Sequence, residues 1–184
     1  MNHHDMTRNM VLAALFAALT AIGAFLQIPT GTVPITLQFL FTALAGLLLG
    51  WKWGAISQLL YVGIGLLGLP VFTQGGGIGY VLQPSFGFLL GLIPAADVIG
   101  ALTARRTGYL TVLAAVLVGD LILYAVGVPY MYLILHVYMQ SAKTFSALLA
   151  AMLVYVPGDT LKIIVVTALA PVLRRTLAKA VPNL

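Results

Sequence analysis

The sequence contains no cysteine and very little charge. Its 184 residues include 9 Lys and Arg, 4 Asp and Glu and 3 His. Without cysteine there are no disulfides and no thiolate metal ligands, and the histidines have no repeated spacing, so no metal site is predicted. The net charge is +5, but the basic residues are too few and too dispersed to form a nucleic-acid-binding face. Only 7% of the residues are charged, far below the roughly 25% of soluble proteins, so a soluble globular protein is excluded as well.

Apolar residues make up 61% of the chain, and the mean hydropathy is +1.08. These values predict an all-α, polytopic membrane protein with a single domain over residues 1–184. No small-residue cleavage site follows the apolar run from Met10 to Ile28, so we expect a retained helix rather than a signal peptide. The aromatic stretch 129–138 is predicted to be an interfacial helix or a re-entrant cap. The six predicted spans are 8–28, 34–50, 53–69, 80–104, 108–127 and 146–172.

Positive charge occupies alternate connections between these spans. Arg8 lies at the start of the first span, Lys52 lies between the second and third, and Arg105 and Arg106 lie between the fourth and fifth. The C-terminal tail adds three more cations, whereas the opposite links contain only Lys143. Because cytoplasmic loops are enriched in Lys and Arg, six spans with both termini in the cytoplasm are predicted.

The last span contains an acidic and a basic residue one helical turn apart, Asp159 and Lys162. A charge at mid-membrane depth costs about 2.5 to 3.5 kcal/mol, so intramembrane charges predict a functional site. Pro157 and Gly158 predict a kink or break just before Asp159, of the kind that lines a cavity. The alternative is that the two charges only neutralise each other as a structural pair.

Two outer connections are candidate parts of a site. The loop 69–80 contains Gly75, Gly76, Gly77 and Gly79, and glycine lets a backbone approach a ligand closely. The loop is equally open to being a flexible connection, and no Walker lysine follows it.

The link 29–38 is stiffened by Pro29 and Pro34, and Gln38 carries an amide into the membrane region. This link is either a lid over an outward-facing pocket or an ordinary connection.

The first span has alanine at every fourth position, at Ala13, Ala17 and Ala21. Such a flat stripe lets another helix approach closely in lipid. The partner helix belongs either to the same bundle or to a separate membrane subunit.

Asp120 lies inside the fifth predicted span and is expected either to support a pocket or to pair with Lys162. The sequence contains no nucleophile with a base, no acidic metal cluster and no His motif, so we expect no enzyme activity. Transport driven by ATP would require an ATPase on another chain. The main rival is a stand-alone transporter with Asp159 and Asp120 as a proton relay.

Four motifs, in this order, resemble the BioY family, the biotin-specific substrate-binding subunits (S components) of energy-coupling factor (ECF) transporters. They are Val-Pro-Ile-Thr-Leu-Gln at 33–38, Ala-Gly-Leu-Leu-Leu-Gly at 45–50, Gly-Leu-Pro-Val-Phe at 68–72 and Pro-Gly-Asp-Thr-Leu-Lys at 157–162. The sequence departs from the family at 84–87, where Pro-Ser-Phe-Gly replaces the more usual Pro-Thr-Gly-Gly.

The resemblance implies a six-helix S-component fold in a bacterial or archaeal cytoplasmic membrane, with biotin as transported ligand and no cofactor. It implies that the alanine stripe docks onto a transmembrane coupling subunit that bears two ATPases. Asp159 and Lys162 would anchor biotin, and tyrosines would supply apolar walls with a polar tip. The expected substrate-binding residues are Asp159, Lys162, Gly75, Gly76, Gly77, Tyr80, Gln38, Thr36, Tyr124, Asp120 and Tyr155.

Overall fold

The computed structural model describes residues 3–30, 33–106 and 108–180. Gly31 and Thr32 of the first outer link lie outside the described residues. Apart from its loops and one β-hairpin whose two strands have two residues each, the described chain is helical, which confirms the all-α class. The elements are α1 His3–Phe25, β1 Gln27–Ile28, β2 Ile35–Thr36, α2 Gln38–Leu66, a 3-10 helix Ile78–Leu82, α3 Phe86–Thr103, α4 Tyr109–Leu133, a π-helical turn Ile134–Tyr138, α5 Phe145–Met152 and α6 Val156–Ala180.

Within the described ranges, five helical segments are long and apolar enough to cross a membrane. This count rests on length and composition. A multi-pass membrane protein is therefore confirmed. The segments are Asp5–Phe25, Gln38–Leu66, Phe86–Thr103, Tyr109–Tyr138 and Val156–Thr176.

Helix α2 is folded back on itself at Gly50, whose φ of 78° and ψ of 177° are not helical. The Thr42 hydroxyl donates to the Gln58 side-chain oxygen at 2.9 Å. In a straight helix these residues would be about 24 Å apart, so the contact requires a sharp reversal. The two antiparallel arms, 38–49 and 51–66, correspond to the second and third predicted spans. Glycine suits the turn because its positive φ carries no Cβ penalty.

Arg174, near the end of α6, joins three chain segments at one end of the bundle. Its guanidinium donates to the Leu47 carbonyl at 2.6 Å and to the Thr103 carbonyl at 3.3 Å. Both carbonyls lie where a helix or helical arm ends and intrahelical donors run out. Lys52 and Arg105 follow these two ends directly, so the predicted cationic connections share one end of the bundle. The β-hairpin, the glycine loop and α5 lie at the other end.

The stretch 129–138 is not the separate interfacial cap that the sequence predicted. Helix α4 continues through Pro129 to Leu133, and a π-helical turn extends it to Tyr138. Proline removes one backbone donor, and neighbouring groups in a bundle compensate for that loss. The Tyr130 hydroxyl also donates to the Val81 carbonyl at 2.6 Å, which fixes this part of α4 against the 3-10 helix.

The last predicted span, 146–172, is divided in the structure. Helix α5 ends at Met152, a turn covers residues 153–155, and α6 begins at Val156. The predicted interruption is present, but it lies at residues 153–155, and Pro157 and Gly158 already belong to the new helix. Asp159 lies in the first turn of that helix.

The alanine stripe of α1 mostly faces the interior of this chain. Ala13 is 2% exposed and Ala17 is 4% exposed, and both belong to the hydrophobic core. Ala21 is partly buried, whereas the neighbouring Ala14 and Ala18 are exposed. Ala13 and Ala17 thus pack within the bundle, which favours the first of the two alternatives for the stripe. Successive side chains on a helix differ in direction by about 100°. An offset of one residue is therefore enough to move an alanine from the buried face of α1 to its exposed face.

Candidate functional site

A pocket lies at the end of the bundle opposite Arg174. Its volume is about 70 Å³. The first outer link, the start of α2, the 3-10 helix, α3, α4, α5 and α6 all contribute to its wall. Seven of the eleven predicted substrate-binding residues line it: Thr36, Gln38, Tyr80, Tyr124, Tyr155, Asp159 and Lys162.

The polar floor of the pocket is the ion pair between Asp159 and Lys162. The Lys162 ammonium lies 2.5 Å from one Asp159 carboxylate oxygen. The two residues are 6% and 8% exposed, so the pair is removed from both lipid and bulk water. Lys162 also donates to the Thr36 carbonyl at 3.2 Å, and the Tyr124 hydroxyl donates to the other Asp159 oxygen. These added hydrogen bonds offset part of the desolvation cost of a buried pair.

The local sequence explains why α6 begins at the pocket. Pro157 lies in the first turn of α6, where its missing N–H would have no helical partner in any case. The Asp159 N–H donates to the Tyr155 carbonyl at 2.9 Å, which is the first full helical turn. A carboxylate in the first turn also interacts favourably with the helix dipole. The chain therefore places Asp159 and Lys162 on one face of α6 at the pocket floor.

Tyr155 fastens the first outer link over the pocket. Its hydroxyl donates to the Val33 carbonyl and lies 3.0 Å from the Thr30 hydroxyl. The Thr30 hydroxyl donates to the same Val33 carbonyl at 2.6 Å. The link is thus held against the start of α6, as a lid over the pocket requires.

A second chain of hydrogen bonds connects this link with the glycine loop. The Thr36 hydroxyl donates to Gln38 at 2.9 Å, and the Gln38 amide donates to the Tyr61 hydroxyl at 2.8 Å. Tyr61 then donates to the Val71 carbonyl at 3.1 Å. Gln38 is therefore fixed by partners on both sides at the pocket wall.

The glycines themselves do not line the pocket, contrary to the sequence prediction. Gly75 and Gly77 have φ of 110° and 99°, which side chains other than glycine rarely adopt. A Cβ at Gly76 would lie 2.1 Å from the Leu69 carbonyl oxygen. The glycines shape the loop, and its side chains Thr73 and Tyr80 are the ones that reach the pocket.

Thr73 and Ser85 were not predicted as site residues, yet both line the pocket. The Tyr80 hydroxyl lies 2.8 Å from the Thr73 hydroxyl and 3.4 Å from the Ser85 hydroxyl. The ring of Tyr80 packs on Phe72 with centroids 4.6 Å apart. Ser and Thr are common in apolar sequences, so their presence does not indicate a binding site. Only the position of Thr73 beside the glycines could have identified it as a site residue.

Asp120 does not line the pocket, and the salt bridge of Lys162 is with Asp159, so the predicted pairing of Asp120 with Lys162 is wrong. Its other expected role, support of the pocket from behind, stays a prediction. One of its carboxylate oxygens is buried without a hydrogen-bond partner among the described residues. Asp120 lies one turn before Tyr124 on α4, behind the pocket wall.

The pocket combines a neutral ion pair with apolar walls. Asp159 accepts hydrogen bonds, Lys162 donates them, and the pair as a whole carries no net charge. The walls are largely apolar, with contributions from Phe39, Phe88, Leu89, Leu92 and Leu123. Such a site suits a small, mostly apolar ligand whose neutral polar head has both donors and acceptors. Among the described residues no cluster of three His, Cys, Asp or Glu could hold a metal ion.

Comparisons with known proteins agree on one family. The model of the BioY family matches residues 1–179. A relative from Lysinibacillus sphaericus, named probable biotin transporter BioY, is 52% identical over 142 residues, which are 76% of this chain and 72% of the relative. The biotin transporter BioY of Thermotoga maritima is 35% identical over 164 residues, or 89% of this chain and 94% of the relative.

A solved structure is also similar: the S-component for biotin from an ECF-type ABC transporter. The TM-score is 0.83 at 30% sequence identity, with 95% of each chain covered. This similarity confirms the predicted S-component fold.

Proposed function

The chain belongs to the BioY family, a family of transporters and not of enzymes, and we propose that it is the membrane-embedded biotin-binding subunit of an ECF transporter. One observation carries the proposal: the buried pair of Asp159 and Lys162 lies on the floor of a largely apolar pocket. The protein binds and delivers biotin and does no chemistry on it.

The chemistry of biotin fits this floor. Ionised biotin has two hydrogen-bond donors, the N–H groups of its ureido ring, and Asp159 is an acceptor only. Contact with Asp159 is therefore a contact with the ureido end, because the carboxylate of biotin would be repelled. Lys162 directs two of its three N–H groups to Asp159 and the Thr36 carbonyl, which leaves the third to donate to the ureido oxygen. The bicyclic ring then packs against the apolar walls of α3 and α4.

The direct test is binding of biotin to the purified chain, with riboflavin and thiamine as comparison ligands. We expect saturable binding of biotin with one site per chain and much weaker binding of the other two vitamins. Absence of biotin binding, or equal binding of all three, would contradict the proposal.

We propose six spans, with the arms 38–49 and 51–66 as the second and third, and both termini in the cytoplasm. The reversal at Gly50 and the clustering of cations at one end support this topology. Because the chain has no cysteine, single cysteines at the exposed positions Lys52 and Gln74 give a clean test. Impermeant thiol reagents added outside intact cells should label Gln74→Cys and leave Lys52→Cys unlabelled, and the reverse pattern would refute the topology.

Transport by this subunit would require a coupling subunit and its pair of ATPases. The docking surface we propose is the exposed face of α1 with Ala14 and Ala18, one residue away from the predicted stripe. Replacing both with leucine should abolish copurification with a coupling subunit while biotin binding is kept. Ala114→Leu, on an exposed face of α4, is the matched control. Equal copurification of all three proteins would rule out this face.

A stand-alone proton-coupled transporter is the second candidate, and one observation favours it. Asp120 is half-buried, and its buried carboxylate oxygen has no hydrogen-bond partner among the described residues, as in a proton-binding residue. Proteoliposomes that contain only this chain distinguish the two functions. Biotin uptake driven by a proton gradient would favour this candidate, and no uptake without ATPases favours the ECF subunit.

A further inference from the structure

A second cavity adjoins the pocket at the outer end of the bundle. Its volume is about 280 Å³, and its wall includes Thr30, Lys143 and the small side chains Ala147 and Ala151 of α5. Met152 and Tyr155 line both cavities. These two side chains therefore lie where the cavities adjoin; the ion pair of α6 lines the first cavity and Lys143 lines the second.

Neither cavity alone has the volume of a usual small-molecule site. The pocket at Asp159 has about 70 Å³ and the second cavity about 280 Å³, whereas such sites have roughly 300 Å³ or more. Together they reach that size. A ligand with a compact head and a flexible tail fits this division, with the head on the polar floor and the tail beside Met152, whose unbranched side chain adapts easily.

The charges of the two cavities differ. Lys162 is neutralised by Asp159 at 2.5 Å, so the floor of the pocket offers no net positive charge. Lys143 is exposed, and the structure shows no salt bridge to it within the described ranges. The sequence has no other Lys or Arg between Arg106 and Lys162, and none between Lys52 and Arg105. Among the described residues, Lys143 is thus the one cation that lines either cavity without a salt bridge.

The backbone around Lys143 is held in place at the start of α5. The Thr144 side chain caps α5 by accepting from the Ala147 N–H at 3.3 Å. The Lys143 N–H lies 3.4 Å from the Ser141 hydroxyl that accepts from it. The lysine therefore leaves the chain directly before a capped helix whose alanines line the same cavity.

We infer that Lys143 binds the carboxylate tail of biotin in this second cavity, while the ureido ring occupies the floor at Asp159 and Lys162. This inference rests on the proposed function. It assigns the two ends of biotin to two separate cations, one neutralised inside the bundle and one free at its mouth. A carboxylate bound to an ammonium gains a charge-assisted hydrogen bond, which an uncharged tail does not.

The test compares biotin with biotinamide, in which the carboxylate is replaced by a neutral amide. The proteins are the wild-type chain, Lys143→Gln, and the control Lys52→Gln, an exposed lysine at the opposite end of the bundle. Calorimetric titration gives the Kd of each protein for each of the two ligands. For a partly solvated ion pair, Lys143→Gln should weaken biotin binding by about threefold to tenfold. It should leave the Kd for biotinamide unchanged, and Lys52→Gln should change neither value.

The result that overturns the inference is an equal effect of Lys143→Gln on both ligands, or no effect on either. Its failure is separable from failure of the proposed function. Suppose that the wild-type protein binds biotin and that Asp159→Asn weakens this binding. If Lys143→Gln then leaves the Kd for biotin unchanged, only the proposed carboxylate site is refuted. If the wild-type chain binds no biotin, both proposals fall together.

Discussion

Replacing Asp159 with asparagine removes the charged acceptor from the pocket floor and keeps the size of the side chain. In the structure this carboxylate accepts from Tyr124 and pairs with Lys162 at 2.5 Å, and it is 6% exposed. A hydrogen bond to a charged group contributes about 1.5 to 3 kcal/mol, so we expect the Kd for biotin to rise by about tenfold to 150-fold. Titration calorimetry on purified protein measures this change.

The control is Asp97→Asn, which alters a carboxylate of α3 that does not line the pocket. It should leave the Kd unchanged. An unchanged Kd in Asp159→Asn as well would refute the assignment of Asp159 as a ligand anchor.

A second variant separates ligand binding from structural pairing. Asp159→Asn alone leaves Lys162 buried without a counter-charge, which should lower the thermal stability of the protein. Removing one partner of a buried pair costs about 3 to 5 kcal/mol, whereas replacing both by neutral groups is often neutral or stabilising. The double variant with Lys162→Met should therefore recover stability but not biotin binding. If the double variant binds biotin normally, the pair is only structural.

Three further predictions concern the frame of the pocket. Gly76→Ala should lower the melting temperature, because its Cβ would lie 2.1 Å from a carbonyl oxygen, whereas Gly79→Ala, with open space around it, should have little effect. Arg174→Gln should destabilise the protein by about 1 to 3 kcal/mol through two lost carbonyl contacts, and the exposed Arg175→Gln should not; equal melting temperatures would contradict this role. Tyr155→Phe should raise the biotin dissociation rate about fivefold in stopped-flow measurements, since the first link loses a hydrogen bond worth about 1 kcal/mol, and an unchanged rate would show that the link is not a lid.

The pocket floor could be predicted from the sequence because charge stands out in an apolar chain. Asp159 and Lys162 are costly in lipid, and Pro157 marks the interruption that the structure shows just before them. The second and third spans were also predictable, since Gly50 and Lys52 punctuate the apolar sequence between them. These signals are local, and they depend on residue types that are rare in membrane helices.

The sequence does not predict in the same way which face of each helix is buried. In a soluble helix the polar face points to water, but lipid and protein interior are both apolar, so hydrophobicity does not separate the two faces. Ala13 and Ala14 are therefore equivalent in sequence, although one is buried and the other exposed. The same ambiguity applies to Asp120. The free-energy cost of placing a carboxylate in the membrane indicates a functional residue, but it does not show which way the side chain points.

Local conformation also limited the prediction of the outer end. Proline normally ends a helix, yet Pro129 lies within α4 because the surrounding bundle compensates for the lost hydrogen bond. Glycine indicates that a loop can turn tightly, but not that its backbone reaches a ligand. Gly75, Gly76 and Gly77 shape a loop whose contacts with the pocket come from Thr73 and Tyr80.

We propose above that the ion pair on α6 forms the polar floor of a biotin site. An experimental structure of this protein with bound biotin tests it most directly. We expect the ureido N–H groups within hydrogen-bond distance of the Asp159 carboxylate and the bicyclic ring against α3 and α4. Biotin bound elsewhere, or bound with the Asp159 and Lys162 pair unchanged and out of contact, would contradict it.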